Sequence, residues 1–181
     1  MCAASKTLSS AELLAEYDAV VAKVEGAIAR AQSSASDQLS CRPGCDSCCT
    51  AGLSVLPVEA AAVRRALPVA RDFRARGEGW CAFLDLDGRC GVYAARPLLC
   101  RTHGLPLKMS GASADRGSLR VVDDDVSVCS LNFTQRTPTA AETLDAEAVL
   151  KLLVVVDRRF RLASGAADDA SRVLLSTLVG P

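Results

Sequence analysis

Cysteines are the side chains in this chain whose type and spacing could do chemistry: there are nine among 181 residues. Four crowd into one stretch, Cys41-x3-Cys45-x2-Cys48-Cys49, and four more follow at Cys81, Cys90, Cys100 and Cys129. Thiolates are soft donors that suit zinc and iron–sulfur clusters. The first cluster is short enough to surround an ion without a long-range fold. The second is spread along the chain, so ligation through it requires tertiary folding and couples metal binding to folding. Cys2 lies outside both clusters and is not a candidate ligand. His103, the single histidine, follows Cys100 by three residues. A lone histidine is ordinarily structural, but its thiol neighbours leave coordination or proton transfer open.

Spacing also carries geometry. Neighbouring side chains diverge in an extended backbone, so Cys48 and Cys49 fit poorly on one tetrahedral ion; one is spare, or there are two sites. Asp87-Gly88 is a two-residue turn signal between Phe83-Leu84 and Val92-Tyr93, which predicts a hairpin over Trp80–Tyr93 pairing Leu86 with Arg89 and Cys90 with Asp85. Cys81 then lies four residues further along, roughly 13 Å away at about 3.3 Å per residue, and serves a different site from Cys90 unless the strand bends. Thiolate sites carry negative charge, which Arg42, Arg89, Arg96 and Arg101, each close in sequence to a cysteine, are placed to offset. For any one of them an ordinary surface role is the alternative.

The catalytic inventory is thin. There is no Ser/His/Asp order and no phosphate loop, and Asp85, Asp87 and Glu59 sit in turns or helix starts where carboxylates are ordinary. Cys41-x3-Cys45-x2-Cys48 matches the three-cysteine pattern of radical S-adenosylmethionine enzymes, but that chemistry uses a large α/β barrel for which this chain has too few residues. The sequence therefore leans away from an enzyme. With 21 basic and 21 acidic residues and 4% aromatics, no electrostatic or stacking surface for nucleic acid is advertised. The start, Met1-Cys2-Ala3-Ala4-Ser5-Lys6, lacks the basic-then-apolar pattern of a signal peptide. The longest strongly apolar run, Leu152–Val156, is far below the roughly 18 residues that span a bilayer. A soluble cytoplasmic protein is expected, and in that compartment clustered thiols hold metal or do redox chemistry rather than form disulfides.

The positioning elements are mainly helical. Ser9 and Glu12 have capping-box spacing ahead of a helix to Ala31 with Leu13, Tyr17, Val20, Val21, Val24 and Ile28 on its apolar face. Ser33–Ser40 is a polar linker, and Cys41–Gly52 is loop. Pro57 opens a helix to about Ala66, which Pro68 stops. Arg120–Cys129 around Asp123-Asp124-Asp125 predicts a second, weaker hairpin or two short strands. Thr139 and Glu142 repeat the capping-box spacing before a long helix to about Leu162, and a last helix is expected over about Asp168–Leu178. The predicted class is a small single domain, mainly α with one or two short β-hairpins. A cysteine-cluster domain over 41–133 stands between an N-terminal helix with its linker (1–40) and C-terminal helices (134–181) that pack together with the first helix over the cysteine cage.

These residues resemble a family of zinc- or iron-chelating cysteine-cluster proteins, the YkgJ type, which bacteria carry widely. The resemblance rests on the first cluster, then Cys81-x-Phe83-Leu84, Gly88-x-Cys90-x-Val92-Tyr93, Arg96-Pro97-x-x-Cys100-Arg101 and Cys129-x-Leu131-Asn132, over about residues 41–133. It implies metal chelation through Cys41, Cys45, Cys48, Cys49, Cys81, Cys90, Cys100 and Cys129, with Pro97 fixing the loop that presents Cys100 and Asn132 holding a loop by hydrogen bonding. Flagellin lysine methylases look related through the same cysteines, but no S-adenosylmethionine site is recognisable here. Two function classes remain: an iron–sulfur protein transferring electrons or sensing redox state, and a zinc-stabilised module that binds a protein partner without catalysis. Metal storage or delivery would use the same ligands.

Overall fold

The computed structural model describes residues 8–67, 75–110, 118–166 and 171–179. Cys2, Pro68 and Asp168 lie outside them. Ser9 caps the first helix, α1 (Ser10–Ser34): its hydroxyl accepts from the Glu12 N–H, and the Glu12 carboxylate returns the bond to the Ser9 N–H at 2.8 Å. Leu13, Tyr17, Val24, Ile28 and Ala31 form the buried stripe. Strand β1 (Ser54–Val55) leads into α2 (Pro57–Ala66), with Pro57 in the first turn where no N–H is needed. Helix α3 (Leu98–Thr102) follows Pro97 and is a single short element that periodicity cannot reveal.

A four-stranded sheet joins β2 (Leu107–Lys108), β3 (Leu119–Asp123), β4 (Val126–Cys129) and β5 (Leu144–Asp145) in the order β3-β4-β2-β5. The expected hairpin around the acidic trio is β3–β4, with Leu119 opposite Cys129. Strands β2 and β5 are two residues each, too short to show alternation in sequence. The Thr139–Glu142 capping box exists, but it closes a 3-10 turn at Ala140–Glu142. The long helix, α4 (Ala146–Ala163), starts later, at Asp145, whose side chain accepts from the Ala148 N–H. The expected final helix is corrected as well. Val173–Leu174 form β6, which pairs antiparallel with β1, and only a 3-10 turn, Leu175–Leu178, follows.

The molecule is a small single domain, mainly α with short β elements. One core packs Tyr17, Val24 and Ile28 of α1 against Val58 and Ala62 of α2, Leu98 of α3, and Leu153 and Val156 of α4. Asp157, buried in that packing, accepts from the Val58 N–H at 3.0 Å and from Arg161 Nε at 2.8 Å, so α4 caps the first turn of α2. A second core holds Val55, Ala60, Val63, Cys81, Phe83, Leu84 and Val92, with Cys49 and Cys90 against it. Cys49, Cys81 and Cys90 therefore sit beside Ala60 and Val63 of α2. Among the described residues no helix is long and apolar enough to cross a membrane.

Candidate metal centre

The Cys41–Cys49 segment is built from two successive tight turns. The Cys45 N–H donates to the Arg42 carbonyl at 2.9 Å and the Cys49 N–H to the Asp46 carbonyl at 2.7 Å. Because Cys49 closes a turn, the backbone there is not extended, and the divergence expected of adjacent side chains does not arise. The Cys48 and Cys49 thiols hydrogen-bond to each other, which lowers the first and raises the second.

The hairpin tip differs from expectation by one residue. Asp85 Oδ1 accepts from the N–H groups of Asp87 at 2.9 Å and Arg89 at 2.7 Å, capturing a three-residue loop, Leu86–Gly88, with Gly88 at φ 76°. Cys90 consequently pairs with Leu84 rather than Asp85. The arm carrying Cys81 also turns: the Leu84 N–H donates to the Cys81 carbonyl at 2.9 Å, and the Cys81 N–H to the Cys49 carbonyl at 2.9 Å. A straight strand would have held Cys81 and Cys90 apart; the bend brings them together.

Cys49 from the turns and Cys81 and Cys90 from the hairpin pack against one buried cluster, and Cys48 and, on α3, Cys100 lie within the electrostatic field of Cys81. Burial raises Cys81, Cys90 and Cys100. Cys100 is pushed up to about 12, with the fields of Cys81, Cys90 and Cys48 adding to burial. Arg96 is the cation beside this group, lowering Cys48 and Cys90; its guanidinium stacks 3.6 Å from the Tyr93 ring centre. Arg101 instead ties the α3 loop together, with Nε on the Arg96 carbonyl at 2.6 Å, Nη2 on the Ala94 carbonyl at 2.5 Å, and Nη1 on Glu25 of α1. Arg42 and Arg89 are exposed.

Glu59 positions the group, a role the sequence did not advertise. Its carboxylate, 2% exposed, accepts from the Leu56 N–H at 3.1 Å and the Leu98 N–H at 2.9 Å, so one side chain caps both α2 and the helix bearing Cys100. At the hairpin tip, Asp46 pairs with Arg76 at 2.5 Å, and Gly88 lies so close that an added Cβ would meet both side chains at 3.2–3.3 Å.

The remaining three candidates lie outside that buried cluster. Asn132, fully buried, accepts from the Ser40 N–H at 2.7 Å and donates to the Gly104 carbonyl at 2.6 Å and to Cys41 Sγ at 3.4 Å. Its own N–H donates to the Cys129 carbonyl at 2.9 Å. Cys45 and the two residues after Cys129, Ser130 and Leu131, line one groove of about 500 Å³. Cys41 lies in the field of Cys45, Cys129 and Cys48. Contacts cut across the two sequence clusters: Cys49 packs with Cys81 and Cys90, Asn132 links Cys41 to Cys129, and Cys48 lies in the field of both Cys41 and Cys81. His103 Nε2 is engaged with the Ser118 hydroxyl at 2.8 Å, and burial lowers the ring's basicity.

The eight described cysteines are free thiols. Among the described residues no three His, Cys, Asp or Glu side chains are already arranged to close on one ion. The donor set nonetheless fits a thiophilic metal: burial and neighbouring thiols oppose ionisation of Cys81, Cys90 and Cys100, and a cation of the soft kind relieves both.

Residues 40–116 match the model of the CxxCxxCC family, described as a "putative zinc- or iron-chelating domain". Over this segment the chain is similar to that family. The match takes in Cys41 through Cys100 and stops short of Cys129, which Asn132 links to Cys41. Searches of curated proteins and of solved structures found no match.

Proposed function

We propose that the protein chelates zinc or an iron–sulfur cluster through its cysteines, with the group of Cys48, Cys49, Cys81, Cys90 and Cys100 as the principal centre. The observation that supports this is the bend at Cys81–Leu84 together with the packing of Cys49, Cys81 and Cys90 against one buried cluster. Metal bound there would tie the double turn, the hairpin and α3 to one another. A charge of about minus two on a four-thiolate zinc or an oxidised cubane cluster is offset by Arg96. Free thiols in this number suit a reducing compartment such as the cytoplasm.

If the centre is an iron–sulfur cluster, the half-buried setting next to Arg96 supports electron transfer or redox sensing. If it is zinc, the closed site is structural and the helices present a surface to a protein partner. Substitution of Cys81 and of Cys100 by Ser tests the shared claim. Each variant should lose most of the bound metal and melt lower; full retention of metal in both would overturn it.

A further inference from the structure

We propose that the groove between α1, α2 and the Tyr93–Ala95 turn binds a small aliphatic monocarboxylate, held by the Tyr17 hydroxyl and the Arg96 guanidinium. No cysteine lines this groove, so the proposal stands apart from the chelation reading.

The helices leave a hollow here because of what they carry. Tyr17, Val21 and Glu25 follow one another at four-residue spacing along one side of α1, and Ala62 and Ala66 do the same on α2. Alanine ends at its methyl group, so space remains between the two backbones. The cavity measures about 340 Å³, within the range of small-molecule sites.

Its charges do not cancel. Asp18 joins Arg65 at 2.7 Å, and Glu25 joins Arg101, each pair tying α1 to a facing element. The third guanidinium in the lining, Arg96, meets no carboxylate among the described residues. Its Nε donates to the Tyr93 carbonyl at 3.2 Å, and its central carbon stands 3.6 Å from the Tyr93 ring centre, so the side chain is held in place with charge to spare. Three guanidinium groups against two carboxylates leave one positive charge for an occupant to match.

Tyr17 is the second, independent observation. The residue is only 4% exposed, yet its hydroxyl makes no hydrogen bond among the described residues. A buried phenol ordinarily finds a partner. No side-chain polar atom sealed from solvent lacks one among these residues, so the Tyr17 hydroxyl is not sealed and opens into the groove that Tyr17 lines. Burial pushes its ionisation well above the ordinary tyrosine value, which keeps it a donor.

An occupant therefore accepts a hydrogen bond from a phenol, carries one negative charge and is small. A carboxylate meets all three conditions, and its paired oxygens match the guanidinium fork. The alanine methyl groups suit a short alkyl chain behind it. A phosphate, with a charge approaching minus two, would exceed the single charge to be matched and would lie against Asp18 and Glu25.

The test is an NMR titration of the nitrogen-15-labelled full chain with sodium butyrate, compared with inorganic phosphate and n-butylammonium chloride at equal ionic strength. Butyrate should shift the amide signals of α1 around Tyr17–Ala22 and saturate, and the other two probes should not. Tyr17→Phe keeps the ring in the core and should weaken butyrate binding roughly tenfold. Arg96→Gln should weaken it at least as much, whereas Arg42→Gln, in the other groove, should bind as wild type does. Circular dichroism checks that each variant folds, and metal analysis of the same samples reads the chelation claim separately. No saturable butyrate shift in the wild type overturns the proposal, as does unchanged affinity in both Tyr17→Phe and Arg96→Gln, or tighter binding of phosphate than of butyrate.

Discussion

The carboxylate of Glu59 and the backbone N–H of Leu98 meet at 2.9 Å in the protein interior, 39 positions apart in sequence and two residues before Cys100. The same carboxylate caps its own helix at Leu56. A thiol on a five-residue helix is thereby fixed by a side chain from another helix.

Glu59→Ala should therefore strand two buried N–H groups, each costing about 1–3 kcal/mol. The expected loss is about 3 kcal/mol, roughly 10 °C in melting temperature for a chain of this size. Glu59→Gln keeps one of the two bonds and should lose less. Thermal denaturation of the metal-free protein checks this; equal stability of all three would contradict the capping role.

Asn132 offers a sharper contrast. Asn132→Asp keeps the acceptor for Ser40 but cannot donate to the Gly104 carbonyl and sets a negative charge against Cys41. It should weaken stability by about 2 kcal/mol and raise the reactivity threshold of Cys41, read as slower alkylation of that thiol near neutral pH. Alkylation at the wild-type rate would show that Asn132 does not reach the sulfur in solution.

Much of this was legible beforehand where the signal is local. The Ser9–Glu12 box, the Pro57 helix start and the β3–β4 hairpin are each determined by residues a few positions apart. What escaped was set by tertiary contact. The role of Glu59 depends on Leu98, the α4 start depends on β5 pairing with β2, and Val173–Leu174 became a strand because β1 offers an edge. The register of Cys90 differs for the same reason: a bend between Cys81 and Leu84 is invisible to a register counted from Asp87-Gly88, and nothing near Cys129 in sequence announces the Asn132 contact with Cys41. The arginine most useful to the thiols, Arg96, could be narrowed only to four candidates.

Alkaline pH should destabilise the metal-free protein. Cys100 is held above the ordinary thiol value of 9.0, at about 12, mainly by burial. The folded chain therefore keeps a proton that the unfolded chain gives up. That contribution is fully present below pH 9 and is lost as pH rises toward 12. Denaturant midpoints measured from pH 8 to 11 should fall, and less so in Cys100→Ala; a flat profile in the wild type would contradict the shift.

Acid acts through a different pair. Arg136, bonded to Glu142 at 2.6 and 2.9 Å, holds that carboxyl at about 2, and the Thr139 cap adds to it. The depressed value contributes stability above the ordinary carboxyl range that is lost as pH falls toward 2. Arg136→Met should begin to unfold at a higher pH than wild type in an acid titration followed by circular dichroism. Coincident acid transitions would remove the pair from the account.

The central claim, a thiolate-bound metal, is tested most directly by metal and acid-labile sulfide analysis with a visible spectrum, on protein purified without oxygen and without added metal. The account predicts bound metal that is released when the cysteines are alkylated: either iron with sulfide and a broad band at roughly 400 nm, or zinc in colourless protein. A folded chain that carries no zinc or iron, with all its thiols free to titrate, would contradict it.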